Sequence, residues 1–440
     1  MIPKSLLKRD PNKAMLLLEG GGSLALKVFH ALLMLSVSVA LARILGPEQF
    51  GIYSYSIALV TLLAIPVQLG LPVLVVRETA KGNVRSDPAV VTAIWTWSLR
   101  VIFYASALVI SAGGVFLYLM WEKLPSEMRM SLLWALPIVP ALALAGLHGA
   151  ALRGLGRVLM GQLPDHVLRL VFLLSLVLIW NYWFGISISS TAIKIHLIGA
   201  IFAVWIAHIL LRRYRPVVTS RPKIDPTQAR QWIHSLLPLG FVVAAHGINT
   251  RTDTILLGIF SGPESVGIYQ VSVQGAQAVA LALGAFNLVV APRFAAFHEK
   301  KQTEELQKLA TYTARMIIVM TLPVLVIFVA FGEIIIETIF GFEYTSAHLP
   351  LIILGVGQFS GGCFGAMIVL LNMTGNESVM ARGLALAAAL NVIMNLVLIP
   401  LFGIVGAALA TALSITIFNL MMWNAAMRLL RINTFAWSRP

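Results

Sequence analysis

Long apolar runs, each about as long as a bilayer-crossing helix and broken by short clusters of charge, proline or glycine, set the pattern of this chain. In hydrocarbon a run of about 20 apolar residues satisfies its backbone polar groups only as a helix, so each run predicts one membrane-spanning helix. Twelve such runs begin near Gly20, Ile52, Val91, Met130, Pro164, Thr191, His234, Val266, Leu309, Ala347, Val379 and Gly403. The last two are joined by only a few residues, which read as a tight turn. The expected fold is an all-α integral membrane protein of about twelve transmembrane helices.

Composition narrows the picture in three ways. With 440 residues, 59% hydrophobic and 11% charged, there is no room for a large soluble domain. A net charge of +14 would suggest nucleic acid in a soluble protein, whereas here it reflects basic loops. With the N-terminus placed inside, 23 of the 32 Lys and Arg residues fall in inside loops and 4 in outside loops, which predicts a multi-pass protein of the cytoplasmic membrane with both termini cytoplasmic. Cys363 is the single cysteine, so no intrachain disulfide and no cysteine-based metal site is expected. Basic Met1 to Lys13 leads into a long apolar run without a small-residue cleavage site, so no cleavable signal peptide is expected.

The chain repeats itself. Gly46-Pro47-Glu48-Gln49-Phe50-Gly51-Ile52-Tyr53 matches Gly262-Pro263-Glu264-Ser265-Val266-Gly267-Ile268-Tyr269 at an offset of 216. At the same offset Arg77 falls on Arg293 and His30 on His246, while Gly156-Arg157 matches Gly375-Asn376 at 219. Six crossings separate the copies, an even number, so the halves are expected to be parallel repeats about an axis along the membrane normal. Such an arrangement places a substrate site between two six-helix lobes. The expected domains are residues 1–215, a cytoplasmic linker 216–233, and residues 234–440. The Gly-Pro-Glu element itself reads as a helix start, with Pro at the first helical position and Glu at the positive end of the dipole. Arg77 and Arg293 read first as snorkelling residues at cytoplasmic ends and, less readily, as phosphate contacts.

Leu41-Ala42-Arg43-Ile44-Leu45 ahead of the first Gly-Pro-Glu element, Asp253-Thr254-Ile255-Leu256-Leu257-Gly258 ahead of the second, and the Gly-Arg and Gly-Asn pairs resemble polysaccharide (Wzx-type) flippases. These belong to the multidrug/oligosaccharidyl-lipid/polysaccharide exporter superfamily, and the resemblance in span number, length and repeat covers the whole chain. It implies translocation of an undecaprenyl-pyrophosphate-linked oligosaccharide from the inner to the outer leaflet, for polysaccharide or O-antigen biosynthesis, by alternating access of the two lobes. The implied partners are the anionic pyrophosphate lipid, membrane lipids and polysaccharide-assembly proteins. Lipid II flippases of the same superfamily usually have fourteen spans, which argues against that branch.

A charge at the bilayer centre costs roughly 2.5–3.5 kcal/mol on insertion scales, so charges within spans are candidates for function. Lys27, Arg169 and Arg315 lie within about two turns of a cytoplasmic end and can snorkel, whereas Arg100, Arg251 and Asp253 lie deeper. His246, Asn249, Thr250 and Asp253 recur at helical spacing on one face of the seventh span. Arg251 lies about 200° around the helix from Asp253 and needs another partner. The expectation is a cationic cavity in which Arg251, Arg100 and Lys27 meet the pyrophosphate, with Arg100 also able to neutralise Asp253, because the guanidinium fork matches phosphate oxygens. A structural Arg/Asp network is the alternative. His30 and His246 are candidates to face one another near the midplane and couple movement to protons, as is Asp253; the alternative for each histidine is a hydrogen-bonded packing role. Proline and glycine in the second, fourth and tenth spans suggest moving parts or close packing.

Three other functions compete. A glycan polymerase or ligase would see the same lipid-linked sugar but usually carries a large outer loop with paired carboxylates, and the outer loops here are short. A multidrug or cation exporter should prefer acidic cavity residues, and basic groups dominate here. A scaffold would leave the deep charges unused. No Walker A pattern and no His-Glu-x-x-His spacing occurs, so neither ATP hydrolysis nor a metal cofactor is expected. The expectation is a transporter, not an enzyme.

Overall fold

The fold is drawn from a computed structural model, which describes residues 11–186, 188–216 and 226–437. Among these residues there is no β-strand, and the chain runs as eleven helical elements. They are α1 (Pro11–Gln68), α2 (Leu71–Val84), α3 (Pro88–Leu119), α4 (Ser126–Gly154), α5 (Val158–Phe184), α6 (Ser189–Tyr214), α7 (Pro226–Glu299), α8 (Thr303–Ile339), α9 (Phe342–Phe364), α10 (Met367–Met373) and α11 (Glu377–Leu430). Eight of them are long and apolar enough to cross a membrane.

The longest are not single rods. Gly46 breaks α1 at φ 72° and ψ 171°, Gly262 breaks α7 at φ 81° and ψ 174°, and Gly403 breaks α11 at φ 55° and ψ −126°. A side chain disfavours such backbone strongly, so glycine there marks a corner between two crossings. Counting α1 and α11 twice and adding the two halves of α7, which is not among the eight, gives twelve long helical segments, the number that the apolar runs predict. The near-identical angles at Gly46 and Gly262 also show the repeat in the backbone, and Pro47 and Pro263 then open the following helices. Most helices begin two to nine residues before the apolar runs do, as α1 does at Pro11 and α8 at Thr303. The intrahelical ladder needs no apolar side chain, so it continues through polar turns beyond the hydrocarbon.

Two compact units result. One gathers the described parts of Met1–Ala40, Leu63–Ile186 and Ser190–Val243, and the other those of Leu41–Leu62, Ser187–Ser189 and Ala244–Pro440. The first packs through small residues: a Cβ on Gly149 would lie 2.5 Å from the Gly161 carbonyl oxygen, and one on Gly161 would lie 2.5 Å from that of Gly149. Close backbone approach of this kind substitutes for the hydrophobic effect, which does not drive helices together in lipid. Trp95 fastens α3 to α2 by donating Nε1–H to Thr79 at 2.9 Å.

In the second unit the two copies of the Gly-Pro-Glu element meet. A Cβ on Gly51 would fall 1.7 Å from the Pro263 carbonyl oxygen, and one on Gly267 would fall 2.1 Å from that of Pro47. Arg43 donates to the carbonyls of Thr338 and Ile339 and so caps α8, and the Tyr344 hydroxyl donates to the Ala42 carbonyl at 2.9 Å. The glycines of α9 serve packing. Gly357 and Gly361 face Ala412 and Asn419 of α11, while Gly355 and Gly362 face Leu325 and Ile317 of α8.

Candidate functional site

Polar groups gather at one place in each unit. In the first, Pro164 interrupts α5. Proline has no N–H to give to the preceding turn, and residues Pro164–Leu168 widen into a π turn, a distortion frequent at functional sites. That turn brings Asp165, His166 and Arg169 into one cluster. Arg169 Nε pairs with Asp165 Oδ1 at 2.8 Å, and Arg169 Nη1 donates to His196 Nε2 at 3.1 Å. A guanidinium has no acceptor, so that nitrogen of His196 carries a lone pair and the ring is neutral. His166 stacks obliquely on His30 with ring centroids 4.8 Å apart, and His30 Nδ1 donates to the His166 carbonyl at 2.8 Å. Ser23 donates to Gln162 Oε1 at 3.3 Å one turn away.

In the second unit Asp253 is 5% exposed and every hydrogen bond it accepts comes from a neutral donor. Oδ1 accepts from the Thr254 N–H at 2.7 Å, and Oδ2 accepts from the Tyr269 hydroxyl at 2.7 Å and the Thr411 hydroxyl at 3.3 Å. The chain of polar groups continues inward: Asn391 Nδ2 donates to Thr411 Oγ1 at 3.4 Å, and Asn395 Nδ2 donates to Asn391 Oδ1 at 3.1 Å. Several donors around one buried carboxylate strengthen one another at low dielectric and hold the acid in a single geometry.

The residues singled out in the sequence are distributed as follows. Asp253 relies on Tyr269, Thr254 and Thr411 of its own unit, all of them hydroxyl or amide donors. Arg100 is exposed on α3. Arg251 is partly buried, feels the charge of Asp253, and makes no hydrogen bond among the described residues. The face carrying His246, Asn249, Thr250 and Asp253 is helical as expected, but it runs from exposed His246 and Thr250 to buried Asp253. Asn249 Oδ1 is buried without a hydrogen-bond partner. His30 finds its ring neighbour in His166 within the first unit, and His246 is exposed in the second. Lys27 is exposed and three residues from His30.

Two corrections concern residues expected to snorkel. Arg169 is 13% exposed and held by Asp165 and His196, and Arg315 donates Nε–H to the Ala436 carbonyl at 2.9 Å. Both satisfy their guanidinium within the protein because a nearby acceptor is cheaper than bending the side chain to water. Asp165, His166 and His196 were not singled out. The signal for the first was present as Pro164-Asp165 followed at i+4 by Arg169, an opposite-charge spacing inside an apolar run. Nothing in the sequence pointed to His196.

The Asp165–Arg169 pair can be tested. Asp165→Ala strands Arg169 beside His196, and it is expected to lower the thermal unfolding midpoint of the purified protein by more than the Asp165→Ala/Arg169→Ala double variant does. The single change should cost about 1–3 kcal/mol, below the range for breaking a fully buried pair because Asp165 is 32% exposed. Additive losses would mean that the two charges act independently.

Known proteins place this arrangement. The curated relatives include a probable low-salt glycan biosynthesis flippase, Agl15, of Haloferax volcanii, 29% identical over 168 residues that make up 38% of this chain and 35% of that protein. They also include the uncharacterized membrane protein MJ1068 of Methanocaldococcus jannaschii, 27% identical over 252 residues, or 55% of this chain and 48% of that one. The matches thus span between about a third and half of these relatives. Among solved structures, an inward-facing multidrug resistance MATE family transporter of the MOP superfamily superposes with a TM-score of 0.73 over 91% of this chain and 94% of that one, at 12% identity. The lipid II flippase MurJ in an inward closed conformation superposes with a TM-score of 0.67 over 91% and 86%, at 16% identity. At such identities the likeness is one of fold. The profile of the family described as "Polysaccharide biosynthesis protein" matches residues 17–298, more than half of the chain, so the chain belongs to that family.

Proposed function

We propose that this chain is a flippase that carries an undecaprenyl-pyrophosphate-linked oligosaccharide from the inner to the outer leaflet of the cytoplasmic membrane, with both termini cytoplasmic. The observation that carries the reading is Arg251: partly buried in a membrane helix, it makes no hydrogen bond among the described residues and keeps its donors for an anionic group. Membership of a polysaccharide biosynthesis family and the likeness to a glycan flippase support a glycan-bearing cargo. On this reading Arg251, Arg100 and Lys27 meet the pyrophosphate, and Asn249 and His246 extend the polar face. Asp253 and His30 are the groups whose charge state couples transport to an ion gradient. The moving bodies are residues 1–215 and 234–440 joined by 216–233, of which 217–225 lie outside the described residues.

The test is leaflet exchange of a fluorescent polyprenyl-pyrophosphate oligosaccharide in proteoliposomes, beside a cationic dye and protein-free liposomes. Protein-dependent exchange of the glycolipid alone is expected. Dye transport alone would move the chain to drug export, the activity of the MATE fold neighbours, and turnover of the glycolipid into a longer glycan would make it a polymerase.

A further inference from the structure

The first unit holds a basic cavity for which the proposed cargo has no use. It is about 150 Å³ in volume and lies between the Thr92 end of α3, the second half of α4 and the Arg212 end of α6. His148, His208, Arg212 and Arg215 line it together with Trp95, and no carboxylate does. His148 is only 7% exposed, its ring lies 5.4 Å from that of His208, and its Nδ1 is buried with no hydrogen-bond partner. Arg212 lies in the last turn of α6 and Arg215 just beyond its end at Tyr214, and neither forms an ion pair among the described residues. Two arginines and two histidines, one with an orphaned ring nitrogen, around one small space without a carboxylate describe an anion site.

A second cavity, of about 440 Å³, neighbours the first along α3, and Thr96 and Leu99 line both. Its walls are Ile102, Phe103, Tyr104, Pro140 and Leu144, with Arg100 near the junction. Phe103 and Tyr104 are 69% and 71% exposed, as side chains facing lipid are. From Thr92 to Ser106 the two cavities follow α3 for about 21 Å, which exceeds the roughly 15 Å of hydrocarbon in one leaflet.

We propose that this groove binds one anionic phospholipid of the leaflet at the Arg212 end. Its phosphate sits among His148, His208, Arg212 and Arg215, and an acyl chain lies along Phe103, Tyr104 and Leu144. Size decides against the cargo: 150 Å³ is well under the 300–1,000 Å³ of sites that take drug-sized ligands, so a phosphate enters and an oligosaccharide does not. Charge separates it from the other basic cavity, at Arg293 and Lys308, because Glu305 lines that one and pairs with Lys308 at 2.9 Å. On the orientation proposed above the groove opens to the cytoplasmic leaflet; the site needs no transport to be occupied, so binding and flipping fail separately.

The experiment is native mass spectrometry of the full-length protein from nanodiscs of equal phosphatidylglycerol and phosphatidylcholine, with and without the double change Arg212→Gln/Arg215→Gln. The wild type should retain phosphatidylglycerol over phosphatidylcholine, and the double change should lower that preference by tenfold or more, at about fivefold for each basic residue. Leu144→Trp, which fills the tail groove, should lower the occupancy of both lipids, and Arg293→Gln should leave the preference in place. Excess inorganic phosphate should not release the lipid. Equal retention of the two lipids, or a preference unmoved by the arginine changes in protein that still folds, would overturn the proposal. So would displacement of phosphatidylglycerol by polyprenyl pyrophosphate with the same arginine dependence, which would give the groove to the cargo.

Discussion

Gly51→Ala is expected to destabilise the protein severely, and Gly267→Ala to do nearly as much. In each case the added methyl meets a backbone carbonyl oxygen rather than a side chain that can turn aside, at 1.7 Å for Gly51 and 2.1 Å for Gly267. Real contacts do not come so close, so α1 and α7 would have to separate where the two Gly-Pro-Glu elements meet. Overpacking of this kind costs about 1–3 kcal/mol or more where the backbone itself must move. The matched control is Gly114→Ala, because Gly114 lies within α3 with nothing within 4 Å of its new Cβ. There the change should be neutral or stabilising by up to about 1 kcal/mol through helix propensity. Thermal unfolding of the three purified variants in one detergent decides the matter; if Gly51→Ala behaves like Gly114→Ala, the reciprocal contact does not exist in the folded protein.

Arg251→Ala is expected to reduce exchange of the pyrophosphate glycolipid by about ten- to hundredfold while folded protein in the membrane changes little. A hydrogen bond to a charged group is worth about 1.5–3 kcal/mol, and an unengaged guanidinium gives up no internal bond when it is removed. Arg251→Lys separates charge from geometry, since lysine keeps the cation and loses the forked donors. Partial transport by the lysine variant would assign Arg251 to phosphate recognition. Parallel loss of transport and folded protein in both variants would make it a partner of Asp253 that holds the helices together.

The span count, the glycine corners and the repeat were legible because each depends on local physics. An apolar run in lipid has no other way to satisfy its backbone than to be helical. Gly46-Pro47 and Gly262-Pro263 state a corner within two residues, since the angles found there need glycine and the next helix accepts proline. The deep polar residues were legible by type and not in their pairings. Arg251 and Asp253 were recognisable as charges too deep to reach water, yet the groups that satisfy Asp253 are Tyr269, 16 residues on, and Thr411, 158 residues on. Both are neutral hydroxyls, and a search for an opposite charge looks past them.

Helix, orientation bias, duplication and the excess of intramembrane cations follow from the order of residues alone, because hydropathy and the backbone's demand for hydrogen bonds act over a single turn or a single span. Which turns touch, that Pro164 opens a π turn around Asp165, that His30 meets His166, and that two histidines and two arginines close on one small space were decided by the packing of helices distant in sequence. In lipid that packing rests on close approach of small residues and on polar groups finding acceptors. Such partners are set by position across helices, so a pattern read along one helix does not contain them.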